Sequence, residues 1–270
     1  MSAAVGGVIA IGPLQLALAT VFVVFVGVLS IRLSLGITRD LALATVRTYI
    51  QLGVLGFVLR WVFAVDSPWL VLGLVLLMVI VAARILVKRS PDAPPGVFAS
   101  AALSMGLTGF IVTFAVTGVI VRVEPWYLPQ YVIPLAGMVI GNSMNGIALS
   151  IERVFADLDR REGEVLALTA LGATPWEAAH PAIRDALRAG LIPTINSMAA
   201  AGIVFIPGMM SGQILAGADP VTATGYQIVV MLMVAAATAM GSVIALLLTY
   251  RRRFSADGVY LEKGFRTDAE

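Results

Sequence analysis

Apolar runs long enough to cross a bilayer recur along most of this chain, and they constrain its fold more than any motif does. A hydrocarbon core about 30 Å thick takes about 20 apolar residues in a helix. Seven stretches qualify, at roughly 8–31, 45–65, 69–87, 97–121, 130–151, 191–217 and 224–250. Lipid offers backbone groups no hydrogen-bond partner, so each run reads as a helix. The fold class expected is all-α, a polytopic helix bundle forming one transmembrane domain over 1–270. Only 13% of the residues are charged, where a soluble domain carries about a quarter, and the mean hydropathy of +0.96 agrees. The second run is the least apolar, holding Arg47, Gln51 and Arg60 before Asp66-Ser67-Pro68 closes it. No base precedes Arg32, so the first run lacks the charged start of a signal peptide and is expected to be retained.

The bases orient the bundle. With the N-terminus outside and the C-terminus in the cytoplasm, all but two of the 18 Lys and Arg residues lie inside, the exceptions being Arg60 and Arg122. Trp61, Trp69, Trp126 and Tyr127 then fall at outer ends, as an aromatic belt does. This asymmetry accounts for the +2 net charge without a nucleic-acid partner. The expected place is the bacterial inner membrane, with the lipid bilayer itself as a partner.

The connections are short, with one exception. Residues 88–96 are a Pro-rich cytoplasmic turn, 122–129 and 218–222 are outer loops, and 251–270 is a cytoplasmic tail. Residues 152–190 are too long and too patterned for a plain connector. Charges of alternating sign from Glu152 to Glu164 give way to the apolar Val165, Leu166, Leu168 and Leu171. Gly172 then suits a helix stop, and Thr174-Pro175-Trp176-Glu177 reads as a capping box with proline in its favoured place. Pro181 is expected to interrupt the second helix. The segment is either an ordinary helical loop or a docking surface for a cytoplasmic partner, with Trp176 as its aromatic anchor.

Chemistry within the chain is narrowly bounded. A nucleotide-binding loop needs a lysine after glycine, and neither Lys88 nor Lys263 follows one. The lone histidine, His180, is remote from Ser143 and excludes a two-histidine zinc site; it reads as a surface residue. There is no cysteine. No enzyme activity and no tightly bound cofactor are expected, so any energy would come from a partner. No acid lies deep in a run, which argues against proton coupling.

Amides do lie within the runs, at Gln51, Asn142, Asn145, Asn196, Gln213 and Gln227. They are either bonds between helices or the lining of a substrate path. Gly137 and Gly141 form a GxxxG beside two of them and permit close helix approach. Inside the sixth run, Pro207, Gly208 and Gly212 predict a broken or kinked helix, since proline lacks an amide hydrogen and displaces the carbonyl four residues back. Met209 and Met210 stand in that break as soft ligands, better suited to Cu(I) than to iron.

The run "ALTALGATPWEAA", followed by Gly190, resembles the coupling loop of ABC-transporter permeases, without the usual Glu-Ala-Ala before the glycine. The wider set "RTYIQL", "GNSMNGIALSIER", "LGATPWEA", "AGLIPTINSM", "IPGMMSGQILAGADP" and "YQIVVM" resembles the FetB-type iron-export permeases, which are similar to the plant aluminium-sensitivity permeases. The resemblance implies a homodimeric permease served by a separate cytoplasmic ATPase that uses ATP, exporting a metal ion, with iron as the family's substrate. Gly172, Thr174, Pro175, Trp176 and Glu177 would then couple to the ATPase. The rival reading is a stand-alone secondary carrier or channel, and a third is a membrane-anchored assembly or sensory protein.

Overall fold

The computed structural model describes residues 4–5, 8–9, 11–89 and 94–261. Part of the Pro-rich turn at 88–96, and the tail bases Lys263 and Arg266, lie outside the described residues. Apart from a two-strand hairpin of Ala4–Val5 and Val8–Ile9, the described chain is helical or connects helices. The helices are α1 (Pro13–Arg32), α2 (Thr38–Val65), α3 (Pro68–Arg89), α4 (Val97–Ala115), α5 (Pro129–Arg160), α6 (Glu162–Ala170), α7 (Pro175–Ala200), α8 (Gly208–Leu215) and α9 (Pro220–Thr249). A π-helical turn, Val116–Val121, continues α4, and a 3-10 turn, Tyr250–Arg253, continues α9. Six helices among the described residues are long and apolar enough to cross a membrane: α1 to α5 and α9 with their continuations.

By its contacts the chain divides into two compact units. One comprises Met1–Asp66 with Gly208–Ala223, the other Ser67–Pro207 with Thr224–Glu270. In the first, the Tyr49 hydroxyl donates to the Leu16 carbonyl at 2.9 Å and lies 2.6 Å from Thr20 Oγ1, tying α2 to α1. Only 6% of the apolar window of either helix is buried, against 56% for α5. Apolar side chains such as Phe22 and Phe57 therefore stand outward, as lipid-facing residues do.

In the second unit α5 is the axis of packing. Its neighbours approach it at glycines. A Cβ on Gly190 of α7 would stand 2.6 Å from the Gly146 carbonyl oxygen and collide with Ser150 Oγ. On Gly241 of α9 it would meet Ile147 Cδ1 at 2.6 Å, and on Gly109 of α4 it would press on Ile140 at 3.3 Å. Membrane helices gain stability from such close backbone approach because apolar burial does not distinguish protein from lipid. Several buried hydroxyls are satisfied within their own helices, Thr108 donating to the Ser104 carbonyl, Ser150 to Gly146 and Thr249 to Ala245, whereas those of Thr113 and Ser242 have no partner.

At three places the structure refines or corrects the sequence reading. The span expected over 130–151 and the solvated helix expected from Glu152 are one helix that runs to Arg160, because the charged residues after Glu152 suit a helix once water replaces lipid. At 32 residues it is about 48 Å long, and so outreaches a hydrocarbon core of about 30 Å. Pro181 does not interrupt α7, which passes through both Pro181 and Pro193. The buried face of Ala178, Ala179, Ala182, Ile183, Ala186 and Gly190 packs on α5 and overrides the proline penalty. The break expected at Pro207, Gly208 and Gly212 in the sixth run, 191–217, falls a little earlier, over 201–207. Ala201 is extended, Gly202 has φ +80 and donates its N–H to the Phe205 carbonyl at 2.9 Å, and helix resumes only at Gly208. Gly202 supplies a left-handed turn without Cβ strain, and Pro207 disfavours helix at Ile206.

Candidate functional site

The cytoplasmic element is built on local capping. Gly172, at φ +94, ends α6, with its N–H on the Thr169 carbonyl and the Ala173 N–H on that of Leu168, both at 3.0 Å. Thr174 then caps α7: the Glu177 N–H donates to Thr174 Oγ1 at 3.3 Å, and the Thr174 N–H and hydroxyl both donate to Glu177 Oε2 at 2.8 Å. The backbone bond from Thr174, helped by the hydroxyl, holds the Glu177 carboxyl below its ordinary pKa. Pro175 opens the helix where no amide hydrogen is needed.

Two apolar side chains are left standing on this element. Leu171, in the turn, is 86% exposed, and Trp176 is 41% exposed. Trp176 is held by edge contacts to His180 at 5.4 Å and to Tyr250 at 5.7 Å between ring centroids. His180 is exposed, as expected, but it also orients the indole.

Sequence reasoning missed the part played by the tail. Arg253, counted beforehand only as an inner base, is buried and pairs with Asp159 at 3.0 Å, its guanidinium 5.7 Å from the Phe155 ring centroid. The Tyr260 hydroxyl donates to Asp159 at 3.0 Å. Burial and the Asp159 carboxylate push the Tyr260 hydroxyl above its ordinary pKa. Phe254 and Tyr260 meet edge to face at 5.6 Å, closing the tail onto α5. Between this tail and the α6–α7 turn lies an open cavity of about 520 Å³, lined by Leu166, Thr169, Pro175, Gly258 and Val259 among others. The only sequence signal was the pair of aromatic residues flanking Asp257-Gly258.

The intramembrane candidates divide between the two units. Gln51, Met209, Met210 and Gln213, with Gly208 and Gly212, belong to the first; Asn142, Asn145, Asn196 and Pro207 belong to the second, and of the three residues expected at the break only Pro207 lies in it, Gly208 opening α8 and Gly212 standing inside that helix. Met209, Met210 and Gln213 lie along α8 and are half-buried, and the Gln213 carbonyl oxygen is buried without a hydrogen-bond partner. Gln51, Asn142, Asn145 and Asn196 are exposed. Asn142 returns its amide hydrogen to the Met138 carbonyl at 2.7 Å. The Asn145 carbonyl oxygen accepts from the Arg89 guanidinium at 2.7 Å. That contact places a positive charge on Asn145 and makes it a poor station for a cation. Within the chain, the GxxxG pair is not a site of close backbone approach. Gly141 has open space beside it, while Gly137 faces only the end of Met78. Among the described residues no group of three or more His, Cys, Asp or Glu side chains could hold a metal ion.

Against this geometry, comparison with known proteins is informative. The family described as uncharacterised protein family UPF0014 matches residues 13–254. The chain is 36% identical over 246 residues to the UPF0014 membrane protein YjkA of Bacillus subtilis, covering 90% of this chain and 95% of that one. It is 36% identical over 243 residues to the probable iron export permease protein FetB of Escherichia coli, covering 90% and 92%. To the protein ALUMINUM SENSITIVE 3 of Arabidopsis thaliana it is 33% identical over 245 residues, covering 90% and 88%. No solved structure matches the chain.

Proposed function

This chain belongs to the UPF0014 family of multi-pass membrane proteins, and from that premise we propose that it is the permease subunit of an ABC exporter. In this reading it moves a metal ion, iron by its similarity to a probable iron export permease, out of the cytoplasm. A separate ATPase hydrolyses the ATP, and two copies of the permease work together.

The observation that carries the reading is the cytoplasmic element. Helix α5 extends beyond membrane length, α6 and α7 are capped around Gly172 and Thr174, and Leu171 and Trp176 stand exposed at the turn. A chain with no phosphate-binding lysine has use for such a surface if a partner supplies the hydrolysis. The divided stretch between α7 and α8 supports a path. Backbone without helical bonds is stable at membrane depth only where protein buries it or water lines it. With the N-terminus outside and the C-terminus inside, the chain crosses between Arg188 and Pro220 through this stretch. Gln213, with its unpartnered oxygen, and Met209 are then its ligand-bearing residues.

Reconstitution tests the proposal. The chain and its ATPase, purified together and placed in vesicles, should move iron in an ATP-dependent way. Equal transport without ATP or without the ATPase would establish a stand-alone carrier instead.

A further inference from the structure

One face of α5 is out of keeping with a lipid-facing helix. Tyr131, Pro134, Gly141, Asn142, Asn145 and Leu149 are all exposed, and they recur at the three- and four-residue spacing of one helical stripe. At 1.5 Å per residue Asn142 lies about 20 Å along the axis from Pro129, well inside a core of about 30 Å. Polar side chains at that depth face protein or a water-filled cavity rather than acyl chains. Asn145 is served by Arg89. Asn142 is not served in that way: it gives one amide hydrogen to its own helix, and no hydrogen bond among the described residues reaches its carbonyl oxygen. Beside it Gly141 presents bare backbone, with nothing within 4 Å of where a Cβ would stand.

We propose that this stripe is the seam against a second copy of the chain, with Asn142 of each copy paired across a two-fold axis. The occupant is a second copy because an asparagine side chain is self-complementary. It carries both a donor and an acceptor, so the same residue related by a two-fold satisfies itself. A single buried asparagine fixes register in paired helices in the same way. Gly141 allows the two α5 backbones to close on one another, as small residues do between membrane helices. The inference deepens the permease reading and depends on it only for the membrane setting of α5. It makes the translocation unit a dimer whose central wall is α5.

The chain has no cysteine, so single replacements report on the seam directly. Asn142→Cys and Gly141→Cys are oxidised in native membranes and run on a non-reducing gel. Phe22→Cys on α1 and Leu76→Cys on α3, both exposed positions, measure random collision. Residues at a two-fold axis bring their Cβ atoms within about 4.5 Å, the separation a disulfide needs. A disulfide-linked dimer should be the dominant band for Asn142→Cys or Gly141→Cys and a trace for the two controls. Monomer from both seam variants, or equal dimer from all four, overturns the proposal. If Asn142→Cys fails to insert, Gly141→Cys decides, since its new side chain enters open space. Co-purification of the unaltered chain with its ATPase is scored separately. A chain that binds the ATPase but does not cross-link at α5 loses this seam and keeps the permease reading; cross-linking without any ATPase does the reverse.

Discussion

Replacing Gly190 by alanine adds one methyl group where the backbones of α5 and α7 meet. In the structure that carbon would fall 2.6 Å from the Gly146 carbonyl oxygen and onto Ser150 Oγ. Ser150 can rotate away, at the loss of its 2.9 Å bond to the Gly146 carbonyl. The Gly146 oxygen is backbone and moves only with α5. Overpacking of this kind costs about 1–3 kcal/mol, and the helix-propensity gain of alanine over glycine returns at most about 1 kcal/mol. With a backbone atom as the obstacle, the net cost should be about 1–2 kcal/mol. At about 2–4 °C per kcal/mol for a chain of this size, thermal unfolding in detergent should fall by roughly 2–8 °C. Gly73→Ala is the matched control, because nothing lies within 4 Å of its Cβ position on α3; it should be neutral or slightly stabilising. Ser150→Ala in the Gly190→Ala background should recover only part of the loss, since the carbonyl remains. A Gly190→Ala protein that melts with the unaltered chain, or a Gly73→Ala protein that falls equally, would refute the argument that α5 and α7 are held by backbone contact.

Thr174→Ala should cost about 1 kcal/mol at the start of α7, read as faster amide exchange over residues 176–178 with the membrane helices unchanged. Because the Glu177 carboxyl is held below its ordinary pKa, its capping contribution is full above that ordinary value and disappears as pH falls through the lowered one; the same amides should lose protection on acidification and stay constant above neutrality. Trp176→Ala should weaken ATPase binding by about 2 kcal/mol if the indole is a hot spot; normal co-purification and export would move the docking surface elsewhere. Among Met209, Met210 and Gln213, at least one single replacement should abolish export while expression, assembly and basal ATPase activity stay near normal, and three normal exporters would make α8 a packing element.

How much of this could be read beforehand followed the range of the interactions. The cap at Thr174 and Glu177 and the stop at Gly172 use partners within five residues, so the sequence displays them whole. The long apolar helices were equally plain, because length and hydropathy are local quantities. Apolarity alone does not separate one helix from two, however. The stretch 191–217 is divided by a left-handed Gly202 whose role no local pattern announces, although Pro207 marked where the break would end. Pro181 misled in the other direction: its penalty is local, and the small-residue face that overcomes it is a property of α5 as much as of α7. The glycine pair at 137 and 141 had the spacing of a contact, yet the close approach is at Gly146, where the facing residue is itself a glycine. The tail's Arg253–Asp159–Tyr260 cluster joins positions about a hundred residues apart, and its only local trace is the aromatic pair around Asp257-Gly258.

These long-range contacts bear on how the proposed exporter would transmit motion. Gly190 and Gly241 grip α5 within the bundle, while Arg253 and Tyr260 grip it again at Asp159, about 20 Å further along the helix. Between the two grips the helix is continuous, from Gly146 to Asp159. A push on the α6–α7 turn therefore cannot be absorbed by a flexible linker; it moves a rod clamped at both ends. If Asn142 lies on a two-fold axis between copies, the rods of the two subunits meet about one turn beyond the inner grip, and a small tilt of each would open or close the space between them. Cutting the outer grip with Tyr260→Phe, which removes the hydroxyl bond and leaves the ring packing, should loosen the tail to proteolysis. In the reconstituted pair it should lower the metal exported per ATP hydrolysed while leaving the hydrolysis itself unchanged. An unchanged ratio with a demonstrably loosened tail would mean that α5 is driven from α7 alone.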